Sequence, residues 1–405
     1  MIFQTLDAKK ECVGVYLDGN ITYDLDSLDF NKLETTWNYS SFLENKDVEY
    51  ASLFCDGLTL HEACPDEFKD RWELIVDRLK AFLVSFGEAK LNLNEVCFFD
   101  LVPERFLKEY CDVKTLITKD VLDKCEKPNN YDFLVDLTKL VSSVESQPLN
   151  IDLSCVTNQL TSYKAREFVK KIKSKTQYIK YNVFGTVTGR LTTKKTSFPI
   201  LTFPKDMRSI LKPNNDFFVE LDFNAAELRT LLALAGVDQP EIDIHEWNAK
   251  NVYNGQVSRE EAKKKIFAWL YNPESKDKLA SQKYNRDSVV QKYFDGSQVN
   301  TFFGRKIPTD YHRALNYIIQ STTSDLFLRR ALKIHDMLSG KKSYISYMIH
   351  DSLVIDFSLE DKADLLEIIN TFSDTGLGKF KANVSIGDNF GEMQQKYFQE
   401  SKWRQ

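Results

Sequence analysis

The chain has 405 residues, of which 42% are hydrophobic, 28% charged and 13% aromatic, a balance that specifies a folded globular protein of two or three domains and excludes disordered and collagen-like classes. No apolar run approaches the ~18 residues of a membrane span, and the N-terminus lacks the basic-then-apolar pattern of a signal peptide, so the expected location is the cytoplasm (host cytoplasm if the source is viral), with no membrane partner. The net charge of −5 divides into −13 over residues 1–150 and +8 over the rest, with 13 basic residues in 160–213 against Glu167 and Asp206 alone, a stretch that suits either a polyanion or a solvated face.

Residues 2–23 read as two short strands around the turn Leu17-Asp18-Gly19-Asn20. In 71–86, Trp72, Ile75, Leu79, Phe82, Leu83 and Phe86 recur at three- and four-residue spacing, which predicts an amphipathic helix. Helical patterns continue through 103–145. All seven cysteines (Cys12, Cys55, Cys64, Cys97, Cys111, Cys125, Cys155) lie within the first 155 residues, odd in number and without a Cys-x-x-Cys pair. Neither a disulfide framework nor a zinc site is signalled, and His61 with Cys64 reads as unligated.

From about residue 160 the pattern changes. A basic helical segment, Tyr163 to Lys175, leads into a loop rich in Gly and Thr, Phe184 to Thr193. Phe217 to Phe223 reads as a strand running into a helix over 225–235 that Gly236 stops. Ser258-Arg259-Glu260-Glu261 has the form of a capping box, and Asn272-Pro273 ends the helix it starts. A polar connection containing Gly296 and Gly304 precedes a helix over 311–338. Ser346 to Phe357 forms two apolar strand arms around a His-Asp-Ser turn, and a last helix spans about 360–373. Strands and helices are segregated rather than alternating, which gives the α+β class.

Four constellations in this part carry chemistry. Asp222 ends an apolar strand, and Asp351 sits in the turn between two apolar arms. On adjacent strands they would offer Mg²⁺ the one or two carboxylates it takes alongside substrate phosphates; the alternative is a turn Asp and a helix-capping Asp. Arg259, Lys263, Phe267 and Tyr271 lie four apart and form one helical stripe roughly 18 Å long. Its cations suit a triphosphate and its rings a stacked base and sugar, or the rings join the core. Asn316 and Gln320 lie one turn apart, with Thr323 and Ser324 on the same side. They suit the acceptors every base pair shows in the minor groove, or an ordinary polar helix surface. Thr188-Gly189-Arg190 suits a phosphate or groove contact.

Together these segments resemble the family A DNA polymerases of the bacterial DNA polymerase I type. Thr188-Gly189-Arg190-Leu191 is similar to the loop before the palm, and Asp222-Phe223-Asn224-Ala225-Ala226-Glu227-Leu228-Arg229 to motif A. Arg259-x3-Lys263-x3-Phe267-x3-Tyr271 is similar to motif B, and His350-Asp351 to motif C. The motifs stand in family order over about 160–395.

The resemblance implies a right-hand polymerase fold: a palm with an antiparallel sheet (214–244 and 300–405), helical fingers (245–299) and a reduced thumb or connector (148–213). An acidic α/β region (1–147) precedes these, either a degenerate exonuclease-like unit or a scaffold. It further implies two Mg²⁺ ions, replaceable by Mn²⁺, on Asp222, Asp351 and the Phe223 carbonyl, with Lys263 as catalytic cation. Glu227, His245, Arg259, Lys263, Phe267 and Tyr271 would bind the dNTP. Arg190, Thr192, Arg305, Asn316, Gln320 and His350 would bind primer–template DNA. The implied activity is template-directed dNMP addition to a primer 3′-OH, with other replication proteins as partners of the acidic region.

Departures from the family pattern are Asn272 in place of Gly, Ser352 in place of a second acid, and His312 in place of Arg. No proofreading is expected, because the nearest match to an exonuclease Asp-x-Glu strand is Asp7-Ala8-Lys9, in which Lys9 has the wrong charge. The competing readings are a single-subunit RNA polymerase, which shares the Lys-x7-Tyr spacing and His-Asp-Ser, and a catalytically retired DNA-binding factor.

Overall fold

Alternation decides the central element. In Phe217–Phe223 the side chains of Val219, Leu221 and Phe223 are buried on one face, while Phe218, Glu220 and Asp222 share the other. The computed structural model describes residues 1–8, 11–43, 47–93, 96–154, 163–173, 177–272 and 274–396. Lys9, Cys155, Lys175 and Pro273, all named above, lie outside the described residues. The chain divides into two units, Met1–Ser142 and Ser143–Gln405, so the break falls slightly before the expected residue 147.

In the first unit, Phe3–Ala8, Glu11–Leu17 and Asn20–Thr22 form an antiparallel sheet. The 2–23 segment therefore holds three strands, and the Asp18-Gly19 turn joins the second and third. Thr35–Thr36 and Glu49–Tyr50 pair in parallel, and an Ile2–Thr35 bridge joins them to the first strand. Helices α1 (Lys69–Glu88), α2 (Glu104–Lys124) and α3 (Tyr131–Glu145) follow, the last crossing into the second unit. A core of Leu6, Tyr16, Trp37, Trp72, Ile75, Phe106 and Ile117 holds this unit together. Its described cysteines are unpaired.

The second unit is built on a five-stranded antiparallel sheet. Phe217–Phe223 is central, flanked by the hairpin Tyr344–Ile349 and Ser352–Phe357 on one side and by Ala382–Gly387 and Gln394–Lys396 on the other. The helices of this unit are α4 (Tyr163–Lys173), α5 (Ala226–Leu234), α6 (Ile244–Asn251), α7 (Arg259–Tyr271), α8 (Lys278–Tyr284), α9 (Arg286–Tyr293), α10 (Tyr311–Met337) and α11 (Leu365–Ser373). Phe223 stacks on Phe372 of α11 with ring centroids 4.2 Å apart, and Phe327 of α10 meets Phe372 edge-on, so the apolar face of the sheet is covered by helices. That leaves the Glu220–Asp222 face for chemistry.

A second apolar cluster ties α5, α6, α7, α8, α9 and the start of α10 together through Leu231, Ile244, Ile266, Trp269, Tyr284, Val289 and Ile318. The polar connection read before the helix over 311–338 therefore contains two short helices. Asp277 caps α8 by accepting from the Ala280 N–H at 3.0 Å, and Asn285, at φ 44°, turns the chain into α9. Among the described residues no helix is long and apolar enough to cross a membrane.

Candidate active site

Register brings the two acids together. Asp222 pairs with Ser352, and Ile349 also pairs with Ser352 across the hairpin, so His350 and Asp351 form a two-residue turn beside Asp222. His350 holds this turn in the left-handed region, at φ 56°. Burial, the charge of Asp351 and the charge of Glu220 push the Asp222 carboxyl up to about 7. Burial also raises Asp351, with Glu227 adding to it and His350 and Arg190 opposing it. The Asn383 amide reaches Asp222 Oδ2 only at 3.5 Å.

Two buried carboxylates, one raised by the charge of the other, are a donor set suited to divalent cations. Among the described residues no group of three or more His, Cys, Asp or Glu side chains is placed to hold a metal. Mg²⁺ needs only one or two carboxylates when phosphates complete its shell, and hard oxygen donors are what it prefers, so the pair fits it. Ser352 does not stand alone in the position of a second acid. Its hydroxyl donates to Glu220 Oε1 at 2.8 Å, so a third carboxylate reaches this turn from the central strand.

A cavity of about 270 Å³ opens beside Asp351. It is lined by Arg190, Glu227, Phe267, Tyr271, His350 and Asp351, with Thr323 and Ser324. Arg190 pairs with one carboxylate oxygen of Glu227, and the Tyr271 hydroxyl donates to the other. Phe267 and Tyr271 stack almost in parallel, 5° apart, with centroids at 6.0 Å. The predicted stripe on α7 is thus real as a surface. Arg259, Lys263 and Tyr271 are exposed, Phe267 is half-buried, and the neighbouring Ala262, Ile266, Trp269 and Leu270 are buried. The capping box is formed at both ends: Ser258 Oγ accepts from the Glu261 N–H and Glu261 Oε2 accepts from the Ser258 N–H.

His245 lies against Phe267, ring centroids 5.6 Å apart, and is only 4% exposed. Its Nδ1 has no hydrogen-bond partner among the described residues, and burial lowers its pKa. Arg259 is gripped by Asp243 through Nε at 3.1 Å and Nη2 at 3.0 Å. Asp243 is held well below the usual carboxylate range. Burial opposes this lowering, but the hydrogen bonds from Arg259, Asn224 and the Glu246 N–H outweigh it.

Four residues read near the DNA-facing groups have inward tasks. Arg305 donates to Asp325 through Nη2 at 2.7 Å and Nε at 3.3 Å, with side-chain exposures of 17% and 3% for the pair. A Cβ on Gly189, whose φ is 77°, would meet Arg305 Nη2 at 2.5 Å, so this buried pair forms the floor of the Thr188-Gly189-Arg190 loop. The hydroxyl of Thr323 donates to Thr230 at 2.9 Å and that of Ser324 to the Gly189 carbonyl at 3.0 Å, so neither is available as polar surface. Thr192 pairs with Asn182 in a short hairpin, and a Cβ on Gly185 would overlap its side chain, so Thr192 packs under the same loop. Asn316 and Gln320 remain half-buried on α10, and Arg190 and His350 are exposed. Asn224 stands with Arg229 in the segment Asp222 to Arg229, whereas the missed partners Asp243, Asp325 and Glu220 are distant in sequence from Arg259, Arg305 and Ser352. Only the bareness of a polar side chain in an apolar segment could have flagged Glu220 and Asp325.

A sheet with paired acids at its hairpin, faced by a helix bearing cations and aromatics, is a fold shared with a solved DNA polymerase domain. The solved POL domain of Pol1 from M. smegmatis, in complex with DNA primer-template and dNTP, matches with a TM-score of 0.63 at 11% identity. That match covers 96% of this chain and 95% of that one. In sequence the chain is similar to the DNA polymerase of Mycobacterium phage L5, 26% identical over 195 residues (39% of this chain, 32% of that protein), and to that of phage D29, 25% identical over 207 residues (41% and 33%). It is 23% identical to the DNA polymerase I of Aquifex aeolicus (strain VF5) over 303 residues (63% and 52%). The chain thus spans between a third and a half of the length of these curated relatives. No protein-family model matches it. In sequence and in fold, the chain resembles DNA polymerases of the polymerase I type.

Proposed function

We propose that the chain is a template-directed DNA polymerase that adds dNMPs to a primer 3′-OH. The observation that carries this reading is the meeting of Asp222 and Asp351 beside the cavity that Arg190, Glu227, Phe267 and Tyr271 line. Two divalent ions, Mg²⁺ or Mn²⁺ in its place, held by Asp222, Asp351 and the Phe223 carbonyl, would supply positive charge at the reacting phosphate and at the primer hydroxyl. Arg259 and Lys263 neutralise the triphosphate, His245 assists as a neutral hydrogen-bonding group, and Lys263 acts on the leaving pyrophosphate. Phe267 stacks on the incoming base. The Glu227–Tyr271 pair occupies the space a 2′-OH would need, which favours dNTPs over NTPs and opposes the RNA polymerase reading. Arg190, His350, Asn316 and Gln320 contact primer and template, while Arg305 and Thr192 support the Gly189 loop. Catalysis is positioning and charge neutralisation.

The acidic unit carries no proofreading activity in this reading. Its Asp7 accepts from Ser40 Oγ at 2.8 Å and from Thr5, and it lies close enough to the buried ammonium of Lys114 to oppose that group's downward shift by burial. The remaining acidic surface suits docking of other replication proteins rather than DNA.

Primer extension tests the proposal. On a primed template with Mg²⁺, the chain should add the complementary dNMP and select it over the matching NMP. Equal use of NTPs, or addition without a template, would reject it. Loss of single-stranded 3′ ends that Asp7→Ala abolishes would reject the absence of proofreading.

A further inference from the structure

Asp243 sits where the loop after α5 enters α6, and five donors converge on its two oxygens. Oδ1 accepts from the backbone N–H groups of His245 (2.9 Å) and Glu246 (3.0 Å) and from Arg259 Nε (3.1 Å). Oδ2 accepts from Asn224 Nδ2 (2.9 Å) and Arg259 Nη2 (3.0 Å). One carboxylate thus fixes the helix end that carries His245 and the side chain of Arg259, which lies on a different helix.

The mount of this carboxylate is rigid. Asn224 is buried two residues beyond Asp222, and its N–H donates to the Lys381 carbonyl at 2.9 Å. Its Oδ1 accepts from the Ile244 N–H (2.9 Å) and from Arg229 Nη2 (3.2 Å), and its carbonyl accepts from Arg229 Nε (2.8 Å). Arg229, fully buried, also donates to the carbonyls of Pro240 (2.7 Å) and Ile242 (2.9 Å), which pins the loop leading to Asp243. A continuous set of hydrogen bonds therefore runs from the strand of Asp222 to Arg259.

A guanidinium has five N–H groups in a planar fork. Asp243 takes the Nε–Nη2 edge, which leaves the Nη1–Nη2 edge for a bidentate phosphate contact. The exposed Glu260 carboxylate meets Nη1 on that edge, where an arriving anion can displace it. Building on the polymerase reading, we propose that Asp243, braced by Asn224, is a positioning residue that aims Arg259 and His245 at the nucleotide triphosphate.

The test uses the full chain on a primer–template whose primer ends in a dideoxynucleotide, so that dNTP binds without reacting. Asp243→Asn keeps an N-cap side chain and removes the charged grip. It should weaken dNTP binding about tenfold, as loss of a bidentate charged contact does, with DNA affinity unchanged. On an extendable primer, KM for dNTP should rise while kcat changes by less than about threefold. In an Arg259→Ala background the same substitution should have little further effect, the non-additivity expected of two groups acting together. Asp243→Ser, which also caps, serves the same comparison if Asp243→Asn does not fold. Unchanged dNTP affinity, or an equal penalty with and without Arg259, overturns the inference alone. A wild-type chain that binds no dNTP on primer–template overturns the polymerase reading itself.

Discussion

At the scale of single residues, the chemistry rests on a carboxylate kept in an unfavourable place. Asp222 is pushed up to about 7 by burial, Asp351 and Glu220, whereas an unfolded Asp titrates near 3.9 (approximately). Between those values the folded chain holds a proton that the unfolded chain has released. The stability this group contributes is therefore fully present below about pH 4 and is lost as pH rises to about 7. Above that, ionised Asp222 and Asp351 repel unless a cation lies between them. Metal-free Asp222→Asn should accordingly melt higher than wild type at pH 8, by a gain on the order of 1 kcal/mol, and equally at pH 4. Mg²⁺ should raise the wild-type melting temperature at pH 8 and leave the variant unmoved. A variant less stable than wild type at pH 8 would contradict this.

Glu227 carries a second prediction at the same scale. It receives both Arg190 and Tyr271, so Glu227→Ala removes the pair that fills the sugar 2′ side of the cavity. Discrimination of dNTP over NTP, read as a ratio of kcat/KM values, should fall by about tenfold or more. An unchanged ratio would place the sugar elsewhere. Residue identity alone showed which groups could bind phosphate or exclude a hydroxyl. It did not show orientation: Arg305, Thr323 and Ser324 have the right chemistry for DNA, yet each is spent on a neighbour within the fold.

At the scale of elements, legibility followed length and periodicity. The strand Phe217–Phe223 was readable from its alternation and helix α7 from its four-residue stripes, whereas α10, buried on all sides from Ser321 to Leu328, was readable from its length. Helices α8 and α9 were not, because each is about two turns long, too short for an apolar period to repeat around the buried Ala280 and Tyr284 or Val289 and Val290. The capping box of α7 was readable because it is local in sequence. Ser258→Ala should destabilise the protein by about 1 kcal/mol in chemical denaturation, and should weaken dNTP binding with it, because the same turn carries Arg259. No loss of stability would deny the cap its role. The Arg305–Asp325 pair, 20 residues apart and under the Gly189 loop, had no local signature. Arg305→Ala leaves Asp325 buried without its cation and should cost about 3–5 kcal/mol, whereas an exposed DNA-contact arginine would cost almost nothing.

At the scale of the whole molecule, the charge division seen in the sequence has a structural counterpart. The acidic residues concentrate in a unit with its own core, and the paired acids and phosphate-suited cations concentrate in the other. The order of motifs along the chain made the second unit legible, since each marks one wall of a single site. In the first unit the helices were legible from their periodicity and the 2–23 strands from their turn, but the parallel pair Thr35–Thr36 and Glu49–Tyr50 was not, because two-residue strands carry no alternation.

The central claim is that Asp222 and Asp351 jointly hold the cations through which a nucleotide is transferred. Single-turnover extension of a primed template by wild type, Asp222→Asn and Asp351→Asn, titrated with Mg²⁺ and alongside a DNA-binding measurement, tests it most directly. Wild type should extend only with the metal present, and each variant should lose about 10³-fold or more in rate while binding primer–template as wild type does. Extension by either variant at the wild-type rate, or wild-type extension in chelator, would contradict it.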